Sequence, residues 1–375
     1  MHMFAAFYFV IILSIEKEWN FSYDELISLW TLGALLIGLG ALPAGWLSDR
    51  WSRSSMMTIM FFGMGFSSVI CGLSENKFSL FIGLSLLGLS CSIYHPVGIA
   101  WVVNASNKKG RALGINGIFG GIGIGSGAFI AGLLIKYFNW QFAFILPGIF
   151  SLIIGIILLL CIYNHLISFK NIKATELQVK SSSNDLIIIS CIMLFSMFIL
   201  GLTFQIMQTS IPKVFDLRIE SLSTFAIGSV IGIIYGIAGF MTLIGGIMAD
   251  KFSLKKIYII GIAAQVPCFY FIAYFTDTSL IIISLIAAMF NSSILPTENI
   301  LLAKFTPAKH HGLVYGVKFI VAFGSAPIAV FLISKIYEQT QEFTNLFYLS
   351  SILMFFTTLA VLFLPLKNQK TQIIN

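Results

Sequence analysis

The sequence predicts an all-α integral membrane protein that crosses the bilayer twelve times, and three observations carry that prediction. The chain has 375 residues, of which 58% are hydrophobic and only 10% are charged, against about 25% charged in an ordinary soluble domain. Its apolar runs approach the roughly 20 residues that a membrane-crossing helix needs. A short polar phrase between two such runs in the first half, "GWLSDRWSRSS", returns in the second half as "GIMADKFSLKK".

The apolar runs give the order of the helices. Twelve of them are separated by short polar connections, at about 3–15, 26–47, 56–73, 79–99, 112–135, 141–162, 186–208, 224–248, 257–275, 279–302, 313–336 and 344–365. They are too long for the ten-residue alternation of a membrane barrel. The first run is short and has no polar residues before it, so we expect either a short first helix or a native start further upstream.

Two connections are longer than the rest and organise the chain. The stretch 163–185 contains several lysines and "SSSND", and it predicts a cytoplasmic linker between an N-terminal six-helix bundle, 1–162, and a C-terminal bundle with a short tail, 186–375. A second long connection is expected at 209–223.

Positive charges predict the orientation of the chain. With both termini in the cytoplasm, 15 Lys and Arg residues lie on the cytoplasmic side and 6 on the outside, while Lys318 lies within a span. Such a bias is typical of inner-membrane proteins with this orientation. The net charge of +7 is then explained by the anionic inner leaflet, and no nucleic-acid partner is predicted. The five cysteines lack metal-ligand spacing, and neither a metal nor a cofactor is expected.

The repeated phrase indicates a duplication. Gly45 matches Gly246 and Asp49 matches Asp250. Further along, "KGRALGIN" at 109–116 matches "HGLVYGVK" at 311–318. The two halves therefore read as pseudo-symmetric six-helix units, an arrangement typical of secondary transporters with a site at the interface of the repeats.

At these residues the sequence resembles a known family. Gly45-x-x-x-Asp49-Arg50-x-Ser52-Arg53 is similar to the loop 2–3 signature of the major facilitator superfamily, with Ser52 where glycine is usual. Within that family, "SIYHPVG" and "YGVKF" resemble exporters of the fosmidomycin-resistance type. "GIGIGSGAFIAG" resembles the Gly-rich fifth helix of proton-coupled exporters, with Ser126 where proline is usual. The resemblance implies a two-bundle fold, a monomer, a small-molecule substrate and, by analogy, proton coupling.

The loop residues are candidates for a conformational switch. A carboxylate at the membrane surface can pair with a neighbouring arginine in one state and release it in another. An ordinary set of basic cytoplasmic loop residues is the alternative. The candidates for gating are Gly45, Asp49, Arg50, Arg53, Asp250 and Lys251.

Polar residues inside the spans are few, and such residues mark substrate or ion pathways. The candidates for the substrate or proton site are His95, Asn116, Gln205, Tyr235, Asn291, Glu298 and Lys318. By residue count, Glu298 and Lys318 lie at similar depth on neighbouring antiparallel helices, and we expect them to pair. The pair is interpreted either as a fixed structural contact or as a breakable one in which Glu298 takes up a proton. Lys318 could alternatively receive an anionic group of the substrate.

Other classes of protein fit less well. The chain has no His-Glu-x-x-His motif, no Gly-x-Ser-x-Gly elbow and no phosphate-binding loop ending in Lys-Ser/Thr, so neither an intramembrane enzyme nor an ATP-driven pump is predicted. The prediction is a secondary active transporter that works by alternating access, with export favoured slightly over import. Proton-coupled import of a metabolite and a non-transporting receptor on the same fold are the alternatives.

Overall fold

The computed structural model describes residues 1–104, 109–167, 183–220, 222–305 and 311–365. This part of the chain is helical with short connections, and it contains no strand.

Six crossings form the N-terminal half. The helices are α1 His2–Ala6, α2 Tyr8–Trp19, α3 Tyr23–Ser28, α4 Thr31–Arg50, α5 Arg53–Gly72, α6 Lys77–Cys91, α7 Ile99–Asn104, α8 Lys109–Tyr137 and α9 Trp140–Tyr163. A π-helical turn, Tyr94–Gly98, connects α6 to α7 within the fourth crossing. The first crossing consists of α1 and α2, and the second consists of α3 and α4.

Six helices form the described part of the C-terminal half. They are α10 Ser183–Arg218, α11 Thr224–Lys251, α12 Leu254–Tyr274, α13 Asp277–Phe305, α14 His311–Thr340 and α15 Thr344–Leu362. Across both halves, eleven helical segments of the described chain are long and apolar enough to span a membrane, and the first crossing is not among them. Its helical residues nevertheless continue through Trp19, further than the apolar run 3–15 predicts.

The prediction of a long connection at 209–223 is wrong. The helix α10 continues to Arg218, and α11 begins at Thr224. Polar residues that resemble a loop in sequence are helical here because Lys213 is buried in an ion-pair cluster instead of facing water. The last three residues of the predicted linker 163–185 belong to α10, and 168–182 lie outside the described residues.

The two halves meet along two pairs of helices. The helix α8 packs along α11, and α14 packs against both α3 and α4. The first pair is close because it is built from glycines: a Cβ placed on Gly125 would lie 2.6 Å from the backbone oxygen of Gly232. Without a hydrophobic drive between helices in lipid, such small faces allow tight packing.

Candidate transport and gating sites

Glu298 and Lys318 form an ion pair inside the C-terminal half. Glu298 Oε1 lies 2.6 Å from Lys318 Nζ, and the two side chains are 4% and 9% exposed. Lys318 also donates a hydrogen bond to Asn299 Oδ1. Both charges are therefore compensated in a region where an unpaired charge costs at least ~2.5–3.5 kcal/mol. The residue count locates this contact correctly, and whether it breaks during function remains a prediction.

Two hydroxyl groups extend the pair into the core of the C-terminal half. Tyr258 of α12 donates to Glu298 Oε2 at 3.3 Å, and its hydroxyl lies 2.9 Å from Ser196 Oγ of α10. Ser196 in turn donates to the Met193 carbonyl at 3.0 Å. Tyr258 and Ser196 are both fully buried. The carboxyl group thus contacts a cation on one oxygen and a hydroxyl chain on the other.

Asn291 faces the same neighbouring helix as Glu298, as its spacing of seven residues predicts. Its Nδ2 donates to Gln265 Oε1 at 3.2 Å, and Gln265 is fully buried in α12. Gln265 and Tyr258 are themselves seven residues apart on α12. They therefore lie on one face of that helix and contact Asn291 and Glu298, which are spaced in the same way on α13. Sequence reasoning missed both partners, although the matching spacing in "YIIGIAAQ" is a usable signal.

In the N-terminal half, His95 lies among aromatic rings contributed by both halves. Its ring is centred 4.7 Å from Phe323 of α14, 5.3 Å from His2 of α1 and 5.3 Å from Tyr94. Its neighbour Pro96 lacks the backbone N–H that a regular helix needs, and the π-helical turn at this point is the local result. Tyr94 donates to Asn116 Oδ1 of α8 at 2.7 Å. The structure therefore brings His95 and Asn116 into one cluster.

Gln205 and Tyr235 are placed apart from these contacts. Gln205 is half-buried on α10. Tyr235 of α11 is 3% exposed, and its ring lies 6.3 Å from that of Phe204. In the described part of the chain, the Tyr235 hydroxyl has no hydrogen-bond partner. A buried hydroxyl of this kind is free to form a hydrogen bond with a ligand or a water molecule.

The gating candidates lie at one end of the molecule, which we call the Asp49 end. Asp49 is 71% exposed and lies 3.6 Å from Arg53, while the Arg50 guanidinium lies 3.9 Å from the centre of the Trp46 ring. The helix α5 is capped by Ser52, because its Oγ accepts from the Ser55 amide at 3.3 Å.

Gly45 connects this loop to the π-helical turn. A Cβ placed on Gly45 would lie 3.2 Å from Pro96 Cβ, so the glycine allows the second crossing to lie close to the fourth, next to His95. In the second copy of the motif, Asp250 and Lys251 are exposed, and neither forms an ion pair within the described residues. Lys255 instead donates to the carbonyl groups of Leu362 and Leu364 at 2.8 and 2.6 Å, which closes the end of α15.

A third site, at the opposite end, is not predicted by the sequence. We call it the Lys213 cluster. Lys213 Nζ of α10 lies 2.7 Å from Glu16 of α2 and 3.0 Å from Asp216, and Lys17 lies 3.7 Å from Asp216. The Lys213 side chain is only 7% exposed. Its spacing of three residues from Asp216 was the available sequence signal, but the link to Glu16 joins residues 197 positions apart.

Aromatic contacts between the halves accompany the Lys213 cluster. The Tyr23 and Tyr337 rings are centred 5.2 Å apart, and Tyr23 donates to the Thr209 carbonyl at 3.2 Å. Ser334 of α14 donates to the Asp24 carbonyl at 3.2 Å. The two halves are therefore held together at this end by ionic, aromatic and hydrogen-bonded contacts.

An ion pair also closes the loop between α14 and α15. Arg218 binds both carboxylate oxygens of Glu342, and Arg218 Nε lies 2.9 Å from Oε1. Arg218 Nη1 donates to the Ile272 carbonyl at 2.7 Å. Partial burial raises the pKa of Glu342, but hydrogen bonds and charge from Arg218, with bonds from the Phe343 amide and Thr344, lower it further, so that it lies below its ordinary value of 4.5.

Comparison with known proteins identifies the class to which this fold and these sites belong. A family model described as "Major Facilitator Superfamily" matches residues 1–241 and 186–374. The chain belongs to the major facilitator superfamily, whose members are membrane transporters and not enzymes.

Individual relatives match only part of the chain. The riboflavin transporter RibZ of Clostridioides difficile is 29% identical over 148 residues, which cover 38% of this chain and 32% of that protein. The 4-hydroxybenzoate transporter PcaK of Pseudomonas aeruginosa is 28% identical over 34% of this chain and 30% of its own. An uncharacterised transporter of Buchnera aphidicola is 30% identical over 31% and 29%. The chain thus spans about a third of the length of these relatives.

Solved structures share the fold over nearly the whole chain. A D-xylose–proton symporter superposes with a TM-score of 0.70 at 16% identity, covering 97% of this chain and 94% of that one. A bacterial homologue of the lysosomal transporter Spinster, in an inward-facing and occupied conformation, gives 0.69 at 14% identity, covering 97% and 91%. These likenesses confirm the predicted two-bundle fold. The fosmidomycin-resistance type remains a prediction.

Proposed function

We propose that this protein is a secondary active transporter that moves a small solute across the inner membrane by alternating access, coupled to protons. The observation that carries the proposal is the buried Glu298–Lys318 pair, because a titratable carboxyl group inside a membrane transporter is the simplest proton acceptor. The chain acts as a monomer. Both termini are cytoplasmic, so the Asp49 end faces the cytoplasm and the Lys213 cluster faces outward.

Contacts between the halves support alternating access. At the Lys213 cluster, the two halves are joined by an ion pair, an aromatic contact and a hydrogen bond to a backbone carbonyl. Each of these contacts can be replaced by water when the halves separate. The cluster is thus a reversible closure of the outer side, whereas the Asp49–Arg53 pair at the cytoplasmic side lies within the N-terminal half.

The binding region is the cluster around His95, where aromatic surfaces from both halves meet. His95 of the N-terminal half lies against Phe323 of the C-terminal half and against Tyr94 of its own half, and flat rings of this kind favour a planar aromatic solute. Relatives named as transporters of riboflavin, gallate and 4-hydroxybenzoate carry aromatic substrates by name. We infer that the solute is a small aromatic compound and that export is the working direction.

Proteoliposomes that contain a pH-sensitive dye test the proposal. Riboflavin, gallate and 4-hydroxybenzoate are added on either side of the membrane, with and without a pH gradient. In wild-type vesicles, a transported solute should move in exchange for protons that cross the membrane in the opposite direction. The double variant Glu298→Gln with Lys318→Met should exchange solute without moving protons or accumulating it against the gradient.

Each alternative has its own outcome. Binding of a solute without flux in either direction identifies a receptor. Uphill uptake that moves solute inward with protons identifies an importer. Retained gradient-driven accumulation in the double variant removes Glu298 from the coupling mechanism.

A further inference from the structure

We propose that Ser196 and Tyr258 are positioning residues that satisfy Glu298 in both of its charge states by reversing the direction of their hydrogen bonds. This inference rests on the proposed function, in which Glu298 takes up and releases a proton. It assigns the buried hydroxyl chain behind Glu298 a part in proton coupling that the ion pair with Lys318 does not supply.

The hydroxyl chain has fewer hydrogen atoms than oxygen–oxygen contacts. Ser196 and Tyr258 each have one hydroxyl hydrogen. In the arrangement described above, Tyr258 donates to Glu298 and Ser196 donates to the Met193 carbonyl. Both hydrogens are then used, yet the two hydroxyl oxygens lie only 2.9 Å apart. A contact that short requires one hydrogen between them, so one of the other two bonds must be given up or a third hydrogen must arrive.

With Glu298 ionised, the chain is satisfied in one direction. Ser196 turns its hydrogen from the Met193 carbonyl to Tyr258, and Tyr258 donates to Glu298 Oε2. The Met193 carbonyl loses little, because a backbone carbonyl in a helix also accepts from the amide one turn later. Lys318 Nζ holds Glu298 Oε1 throughout, so the carboxylate has a donor on each oxygen.

With Glu298 protonated on Oε2, the chain is satisfied in the other direction. The new carboxyl hydrogen is donated to the Tyr258 oxygen, Tyr258 donates to Ser196, and Ser196 donates to the Met193 carbonyl. No heavy atom needs to move, since every oxygen–oxygen contact used is already present. The proton is the third hydrogen that the count requires, and the net charge of the pair with Lys318 rises by one.

The groups that face Glu298 come from each neighbouring helix. Lys318 of α14 and Tyr258 of α12 are the titratable ones, and Ser196 of α10 contacts it through Tyr258. The helix α11 packs against α13 where Gly245 meets Ser293. Within the described chain, no ion pair or hydrogen bond joins an α11 side chain to Glu298. The hydroxyl chain is therefore the polar contact on the side of Glu298 away from Lys318.

Removal of the last hydroxyl separates the two charge states. In Ser196→Ala, ionised Glu298 keeps its bond from Tyr258. Protonated Glu298 does not keep a satisfied chain, because Tyr258 would accept from the carboxyl group and have no acceptor for its own hydrogen. A buried donor without a partner is costly, so the variant should favour the ionised form. We expect the protonation midpoint to fall by about one pH unit, a tenfold higher proton concentration.

Infrared titration of the purified full-length protein in lipid nanodiscs measures this midpoint without a substrate. The Glu298 carboxyl band is the one lost in Glu298→Gln. Ser196→Ala should lower its midpoint, and Ser196→Thr, which keeps the hydroxyl, should restore it. Ser350→Ala is the matched control, because Ser350 is equally buried and donates only to the Leu346 carbonyl of its own helix; it should leave the midpoint unchanged.

The outcomes separate this inference from the proposed function. An unchanged midpoint in Ser196→Ala, or an equal shift in Ser350→Ala, overturns the inference and leaves Glu298 as a proton acceptor. The absence of any Glu298 band between about pH 4 and pH 9, the range known for buried glutamates, overturns proton coupling at Glu298 as well. If Ser196→Ala does not fold, Ser196→Cys replaces it, since a thiol is a weaker acceptor and should shift the midpoint in the same direction by less.

Discussion

Equivalent crossings of the two halves contact each other through different chemistry. They are the fourth and fifth crossings in the N-terminal half and the tenth and eleventh in the C-terminal half. The repeat places Asn116 opposite Lys318. In the N-terminal half, Asn116 accepts from Tyr94 at 2.7 Å, while in the C-terminal half Lys318 binds Glu298 at 2.6 Å. A neutral hydrogen bond in one half therefore corresponds to a buried ion pair in the other.

A second pair of equivalent contacts shows the same difference. Near the Lys213 cluster, Gln141 donates to Glu18 at 3.4 Å in the N-terminal half, a long bond from a half-buried amide to an exposed carboxylate. The corresponding contact in the C-terminal half is the bidentate ion pair of Arg218 with Glu342. At these two positions the ionic contacts lie in the C-terminal half, which also contains the carboxyl group that we propose takes up a proton.

The largest effect should come from breaking the pair at Glu298. Glu298→Gln leaves Lys318 buried without its carboxylate, which typically costs about 3–5 kcal/mol. The equivalent change in the other half, Tyr94→Phe, removes a neutral hydrogen bond and should cost about 0.5–1.5 kcal/mol. Thermal unfolding in detergent compares the two. Equal losses would show that the ion pair is no more important to stability than its neutral counterpart.

The second largest effect on stability is expected at the Arg218–Glu342 pair, at the end of the seventh crossing. Its counterpart is the Gln141–Glu18 contact, at the end of the first. Arg218→Gln removes charge-assisted bonds to Glu342 and should cost about 1.5–3 kcal/mol. Gln141→Leu, which breaks the exposed counterpart, should change stability by less than about 0.5 kcal/mol. Thermal unfolding of both variants at neutral pH checks the difference.

The same pair gives a pH dependence with a definite sign. The pKa of Glu342 is lower in the folded protein than its ordinary value of 4.5, so the stabilisation is fully present above pH 4.5 and is lost as the pH falls through the folded value. Glu342→Gln should remove this part of the acid destabilisation. A wild-type and a variant melting curve that fall in parallel below pH 4.5 would contradict it.

A smaller effect is expected where one half is tied to the other. Lys213→Met leaves Glu16 and Asp216, which are 18% and 16% exposed, without their buried cation, and should cost about 1–3 kcal/mol. It should also favour an outward-open state, measured by alkylation of a cysteine placed at Thr209. Lys17→Met is the control. Lys17 is 63% exposed at 3.7 Å from Asp216, and its loss should cost less than about 1 kcal/mol.

The smallest effect on stability is expected at the two copies of the loop motif. Asp49→Asn breaks an exposed pair worth less than about 1 kcal/mol, yet it should lower the transport rate if, as the sequence predicts, Asp49 is part of a conformational switch. Equilibrium solute binding should be retained. Asp250→Asn, at a position with no ion pair in the described residues, should lower the rate less. Loss of binding in a folded Asp49→Asn protein would place Asp49 in the binding site instead.

Several parts of this protein follow from local sequence alone. The long apolar runs, with a bias of 15 to 6 in positive charges between the two sides, specify twelve helices and predict their orientation, since lipid offers no alternative partners for the backbone. The count of residues along antiparallel helices was enough to pair Glu298 with Lys318. The repeated glycine–aspartate phrase was enough to reveal the duplication.

Contacts between distant parts of the chain were decided only by the tertiary structure. Lys213 reads in sequence as a loop lysine, but it is buried because Glu16, at the end of a different helix in the other half, lies 2.7 Å away. Ser196 and Tyr258 look like ordinary polar residues in helices, and only the packing of α10, α12 and α13 aligns them behind Glu298. The physical reason is that hydropathy and helical period act along one helix, whereas the partner of a buried polar group is chosen by the relative placement of several.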